Sequence, residues 1–295
     1  MTSALDMGRV GLWQWVLDQQ PSGKVRELVV EIEEMGWPTL WRPEIAGRDT
    51  FVSAGVMLGA TTTLKVAAGV AQIHARDPMA TAAAHKTVHE AYDGRFLLGL
   101  GVSHAPMIEG LRKQTYGKPL SLMRAYLEDM ANAPFNAVGP ADDLPIVLGA
   151  LGPKMLALAA TAADGAHTYF SPPEHTALAR DVMGPDAFLA AELMVLLDED
   201  PVSARQLARE AMALYLGLPN YANNLRRLGW REEDLAGPSD KLVDAIVAWG
   251  DEDAIAARVH AHHDAGADHV CVQHLFADPK TPPVEQWHRL ADCLL

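Results

Sequence analysis

Short apolar runs alternate with helical segments along this chain of 295 residues. Arg9–Val16 reads as a first strand, and Gly23–Met35, capped by Ser22 and closed by Gly36, as the helix after it. Thr39–Arg42 reads as strand two and Phe51–Ala60 as helix two. Leu64–Val70 (LKVAAGV) is a third strand, apolar enough for a sheet covered on both faces, followed by a helix over Pro78–Tyr92. Phe96–Leu100 is strand four, entered through the turn dipeptide Asp93-Gly94. The rhythm continues with a helix over Ser121–Ala131, strand five at Pro145–Leu148, a helix through Ala162, strand six at Ala166–Phe170 and strand seven at Leu189–Leu197. Pro201–Leu216 is helical, Leu218–Trp249 reads as a helical excursion, Ala254–Ala265 as the last barrel helix and His269–Gln273 as strand eight. This alternation predicts an α/β fold, a closed parallel (β/α)8 TIM barrel with a helical insertion before its last unit. One domain over residues 1–295 is the expected organisation. No GxGxxG follows the first strand, which argues against an open doubly wound sheet.

Composition narrows the functions open to such a barrel. The net charge is -14. An acidic surface repels phosphate backbones, so no nucleic-acid partner is expected. An anionic ligand would have to be held locally, by backbone N–H groups and a few cations. The two cysteines, Cys271 and Cys293, have no ligand spacing, so neither a disulfide framework nor a metal site is expected. The start MTSALDMGRVGLWQW shows no signal-peptide pattern, and no apolar run is long enough for a membrane span. A soluble, cytoplasmic protein without a membrane partner is expected.

Three segments carry a family resemblance. They are Gly36–Glu44 (GWPTLWRPE), Lys65–Pro106 with AAGVAQIHARDP and DGRFLLGLGVSHAP, and Pro145–Met155 (PIVLGALGPKM) followed by Ala163-Asp164-Gly165. Together they resemble the luciferase-like monooxygenase family, especially its branch using the deazaflavin coenzyme F-420 (8-hydroxy-5-deazaflavin). The agreement covers residues 9–170; the last third shares the rhythm but no motif. The resemblance implies an oxidoreductase barrel, commonly a homodimer, that binds its cofactor at the strand C-terminal ends. Every one of the motifs falls just after an expected strand, where barrel active sites lie.

Several residues become candidates. The turn Gly149, Leu151, Gly152, Pro153, Lys154 and Met155 leads into a helix and offers free N–H groups to an anion. Pro153 suits a first helical turn. The resemblance makes this turn the cofactor-phosphate site; an ordinary strand–helix turn is the plain alternative. Gly101, Val102, Ser103 and His104 leave strand four, where glycine lets a planar ligand approach the backbone. His104 is the favoured proton donor, since imidazole exchanges a proton near neutral pH; a hydrogen-bonded loop histidine is the alternative. The resemblance implies a cis peptide at Gly69–Val70, forming a bulge that backs the ring. Glu44, after strand two, competes with His104 as acid; an exposed loop carboxylate is its alternative. His85 and His89 lack the glutamate of HExxH and read as helix surface, and His260, His262 and His263 lie away from the strand ends. Trp13 and Trp15 alternate on strand one, so one of them faces the barrel interior or mouth.

The expected function is an F-420-dependent oxidoreductase moving hydride between ring carbon C5 and a small organic substrate. The alternatives are an FMN-dependent monooxygenase of the same fold, a barrel that binds the cofactor without turnover, and a metal-dependent barrel hydrolase. The last lacks a convincing ligand set.

Overall fold

The computed structural model describes residues 6–140, 144–278 and 280–295. Its strands are β1 (Val10–Trp13), β2 (Thr39–Arg42), β3 (Lys65–Ala68), β4 (Ala71–Gln72), β5 (Phe96–Gly101), β6 (Ile146–Gly149), β7 (Gly165–Thr168), β8 (Phe188–Leu197), β9 (Val247–Gly250) and β10 (His269–His274). All pairings are parallel. The order β10-β1-β2-β3-β5-β6-β7-β8 closes through β8 and β10, which is the expected eight-stranded barrel. The strands are rich in Val, Leu and Ala and buried on both faces, as a sheet wrapped in helices requires.

The helices are α1 (Ser22–Glu34), α2 (Thr50–Leu58), α3 (Pro78–Ala91), α4 (Ala105–Gly110), α5 (Pro119–Ala131), α6 (Pro153–Ala162), α7 (Pro173–Met183), α8 (Pro201–Leu216), α9 (Pro219–Arg227), α10 (Glu232–Ala236), α11 (Asp240–Ile246), α12 (Glu252–Asp264) and α13 (Val284–Leu294). Proline at the first position and aspartate before it start several of them. Asp77 accepts from the Ala80 amide ahead of α3, and Asp200 from the Val202 and Ser203 amides ahead of α8. None of the described helices is long and apolar enough to cross a membrane.

Four expectations need correction. Ser22 is not a cap; it begins α1, and its hydroxyl accepts from Arg48 Nη1 at 2.7 Å. The Leu218–Trp249 segment is not all helix, because it ends in β9, which pairs with the outer half of β8 from Met194 to Leu197. Met194 and Val195 also pair with β10, so β9 occupies the β8 edge that β7 leaves free. The last barrel helix is α13, after β10, rather than α12. His85 is fully buried, with its ring 5.8 Å edge-on to Phe96, instead of lying on the helix surface.

The core has two layers in the barrel proper, and a third cluster packs α8, α9 and α11 on β8 and β9. One fills the space between helices and strands. The other fills the barrel itself with Met7, Trp13, Trp41, Ala67, Leu97, Val147, Ala190 and Cys271. Two indoles from β1 and β2 face small residues across the barrel, a mixture of sizes suited to a closed interior. Polar groups are stitched into this layer. Trp41 Nε1 donates to His269 Nε2 at 3.0 Å, and His269 Nδ1 then donates to Gly8 O at 2.7 Å. His167 stacks on Trp41 with ring centroids 4.5 Å apart.

Candidate active site

At the end of β3 the backbone leaves its ladder. The Gly69–Val70 peptide is cis, as the resemblance implied. The Gly69 amide donates to Arg42 O at 2.7 Å, and Val70 O accepts from the Glu44 amide at 3.3 Å. Pairing resumes at β4. The Val70 side chain lies across β5 and β6, where glycines make room for it. A Cβ on Gly101 would collide with Val70 Cγ2, and one on Gly149 would approach that atom to 3.3 Å. On the barrel side, a Cβ on Gly69 would meet Trp13 Nε1 at 2.8 Å. That indole nitrogen is buried without a partner among the described residues. The break in β3 thus presses Gly69 onto the barrel core and lays the Val70 side chain over the glycines of β5 and β6.

Beside the break, β6 runs through Gly149, Ala150 and Leu151 into α6. Gly152 precedes the helix with extended dihedrals (φ -82°, ψ 148°), and no side chain caps it. Gly152 O accepts from the Met155 and Leu156 amides at 3.0 Å, and Leu151 O is bonded to His175 Nε2 at 2.9 Å. Pro153 has no N–H, and Lys154 is exposed on the first turn. Met155 is half-buried and packs against the core. The space over Gly152 is open except for a guanidinium: Arg227 Nη2 would lie 3.8 Å from a Cβ placed there. Arg227 ends α9, and its Nη1 donates to Asn224 Oδ1 at 2.7 Å. An anion above this turn would meet the positive end of α6 and a cation from the insertion.

β5 exits through Val102, Ser103 and His104. Ser103 is left-handed (φ 58°), uncommon without glycine, and its carbonyl accepts from Tyr116 Oη at 2.9 Å. The bend makes His104 the residue before α4 and turns its ring toward Tyr221 of α9, with centroids 5.4 Å apart. Burial lowers the His104 pKa, against an opposing pull from Asn220. At neutral pH it is an unprotonated imidazole, better suited to accept a proton than to donate one.

Tyr221 belongs to an aromatic group. Its ring centroid lies 6.1 Å from Tyr169, 5.5 Å from Phe170 and 5.4 Å from Tyr215. Tyr169 Oη donates to Gln273 Oε1 at 2.7 Å and lies 2.7 Å from Tyr215 Oη. Trp13 packs 5.2 Å below Tyr169, while Trp15 sits apart against Phe276. Phe170, also left-handed (φ 54°), donates its amide to Glu192 Oε2 at 3.0 Å. Burial lifts the Glu192 carboxyl to about 8, so it is protonated at neutral pH.

Glu44 does not join this group, and its expected role as an acid is corrected. Its Oε1 accepts from the Thr50 amide at 3.2 Å, and Oε2 from the Gln72 amide at 2.9 Å and Arg76 Nη1 at 3.0 Å. Arg76 Nη2 pairs with Oε1 as well, and with Asp49. Both oxygens are consumed, so Glu44 pins the loop after β2 to β4. Gln72 Nε2 returns a bond to Glu44 O at 2.7 Å.

Gly69, Val70, Gly101, Val102, Ser103, His104 and the Gly149–Pro153 turn thus gather around one stretch of rim, over β3 to β6. Arg227, Tyr169, Tyr215, Tyr221 and Glu192 were not anticipated. Tyr169 was within reach of the sequence, since it alternates with His167 along strand six. Glu192 lies on β8 and Tyr215 on α8, segments read from the sequence without a site role, while Tyr221 and Arg227 depend on where the insertion folds, which no local pattern carries.

A closed parallel barrel with an interrupted third strand and an insertion before its last unit is the luciferase-like form of this fold. The model of the luciferase-like monooxygenase family matches residues 9–269, and the chain belongs to that family. A putative coenzyme F-420-dependent oxidoreductase of Mycobacterium tuberculosis is 26% identical, covering 90% of this chain and 94% of its own. Among solved structures, an F-420-dependent secondary alcohol dehydrogenase holding an F-420–acetone adduct superposes with a TM-score of 0.77 at 14% identity, over 97% of this chain and 98% of that one. The F-420-dependent tetrahydromethanopterin reductase of Methanopyrus kandleri does so with 0.76 at 19% identity, over 96% and 97%.

Proposed function

We propose that the chain is a coenzyme F-420-dependent oxidoreductase that moves hydride between the deazaflavin and a small organic substrate. The observation that carries this reading is the uncapped α6 turn with Arg227 above it, set beside the Val70 side chain laid over the glycines of β5 and β6. One flat ring with a phosphate tail matches both. The F-420-dependent relatives point the same way. When bound, the deazaflavin supplies or takes up hydride at C5. The chain's own residues do the rest. Val70 and its glycines back the ring, the α6 turn and Arg227 hold the phosphate, and His104 moves a proton at the substrate oxygen. As a neutral imidazole, His104 takes a proton from an alcohol; the carbonyl-reducing direction needs it protonated first. The same reading takes the chain as a single barrel unit over residues 1–295, cytoplasmic, and a homodimer.

Titration of the purified protein with F-420 and with FMN, followed by ring fluorescence, tests the reading. Affinity for F-420 in the submicromolar to micromolar range, on the order of metabolite-level affinities, is expected, with FMN clearly weaker. Equal or tighter FMN binding, in a yellow and oxygen-consuming preparation, would shift the assignment to the family's FMN monooxygenases.

A further inference from the structure

We propose that Tyr221, carried by the insertion, is a second group on the reacting oxygen, donating a hydrogen bond to it while His104 exchanges the proton. The proposal deepens the hydride-transfer reading above and rests on it.

Three phenols meet at the rim. Two of them are already committed: Tyr169 Oη is bonded to Gln273 Oε1 and paired with Tyr215 Oη, each at 2.7 Å. Tyr221 Oη has no hydrogen-bond partner among the described residues, and it is not one of the sealed, partnerless buried atoms. The residue is half-buried, so its ring is held while its hydroxyl keeps access to the mouth. His104 has the same character: half-buried, with neither ring nitrogen among the sealed, partnerless buried atoms, and with Asn220 as its side-chain neighbour. The two rings are 5.4 Å apart and tilted by 45°. The rings are in contact, so a substrate oxygen at their shared edge can meet both polar groups. Tyr169, Phe170 and Tyr215 fix the Tyr221 ring from behind, which gives the hydroxyl a defined place before any ligand arrives.

The two groups divide the work. Burial, with Tyr215 and Glu192 nearby, pushes Tyr221 well above the ordinary phenol range, so it keeps its proton and acts only as a donor. His104 is shifted the other way and accepts. In alcohol oxidation the O–H proton passes to His104, the carbon-bound hydrogen leaves with its electron pair to the deazaflavin, and the C=O bond forms. Tyr221 holds the oxygen throughout, most strongly while that oxygen carries negative charge. The reverse adds hydride to carbon and returns the proton from His104.

The surrounding wall of Trp13, Tyr169, Phe170 and Tyr215 carries no charge, and Glu192 beneath it is protonated at neutral pH. The substrate class that fits is an uncharged alcohol and its carbonyl partner.

The test compares the unaltered chain with Tyr221→Phe, both loaded with F-420 and probed with cyclohexanone and cyclohexanol. Phenylalanine keeps the ring packing, so thermal stability and F-420 affinity should stay within about twofold. Cyclohexanone binding to the loaded protein, read by fluorescence, should weaken about tenfold, the scale of one lost hydrogen bond. Cyclohexanol oxidation should slow roughly 10²-fold, the scale of one lost donor to a developing oxyanion. Unchanged ketone binding and rate in Tyr221→Phe would overturn the proposal and leave the cofactor reading standing. So would loss of F-420 affinity and stability together, which marks a structural tyrosine, or failure of the loaded unaltered chain to bind the ketone. Failure of the unaltered chain to bind F-420 would remove the hydride-transfer reading and the proposal with it.

Discussion

His104 is placed to act through its proton, and its environment decides the direction in which it acts. Its half-buried ring sits beside Tyr221 with a lowered pKa. His104→Ala should lower turnover about 10²–10⁴-fold, the usual worth of a positioned acid or base, while F-420 affinity changes little. Steady-state rates beside a fluorescence titration separate the two effects. The pH profile carries the sign. Alcohol oxidation needs the neutral ring, so its rate should rise through a pKa below the ordinary 6.5 and be level by neutral pH. A midpoint above 6.5 would mean that another group titrates. At this scale the sequence was informative where a motif fixes a backbone path, as in Gly101-Val102-Ser103-His104. It misled at Glu44, because the partner that consumes that carboxylate, Arg76, lies across the rim and follows no local rule.

The α6 turn and the α9 helix form a pair that neither makes alone. Gly152→Val is tolerated by the backbone, since φ -82° and ψ 148° suit a β-branched residue, and the nearest obstacle is the Arg227 guanidinium at 3.8 Å. The fold should survive while F-420 binding weakens about tenfold or more, because the new side chain covers the N–H groups that face the anion. Arg227→Gln should weaken binding in the same titration, through loss of charge. Normal binding in Gly152→Val would place the phosphate elsewhere. The eight barrel strands and α1, α2, α3, α5 and α6 were legible because each keeps a period of its own; α4 and α7 were not anticipated. The insertion was not legible either. Its α9 reads locally as an ordinary helix, and its importance comes from the rim it lands on. β9 escaped because four residues of Val-Ala-Trp-Gly after a helix give no alternation to detect.

Across the whole molecule, buried histidines set an acid limit. Burial pushes His85, His167 and His262 to about 3, and His269 and His274 to about 4. Each is neutral in the folded state and protonates near 6.5 when unfolded. Their contribution is present above pH 6.5 and is lost as pH falls toward the folded values, by about 1.4 kcal/mol per pH unit for each histidine in that window. Glu192 runs oppositely: raised to about 8, it loses stability as pH climbs from 4.5 through 8. With five groups against one, calorimetry should show the melting temperature dropping between pH 6.5 and about 4. A flat profile there would mean that the histidines titrate without cost. The strand β9 bears on the molecule differently. Hydrogen-bonded along β8 beyond the closed ring, it makes the insertion a lateral continuation of the barrel wall, not a flap on a hinge. The stretch of rim that α9 overlies is then set as the chain folds, and selectivity becomes a property of architecture, settled before any guest arrives.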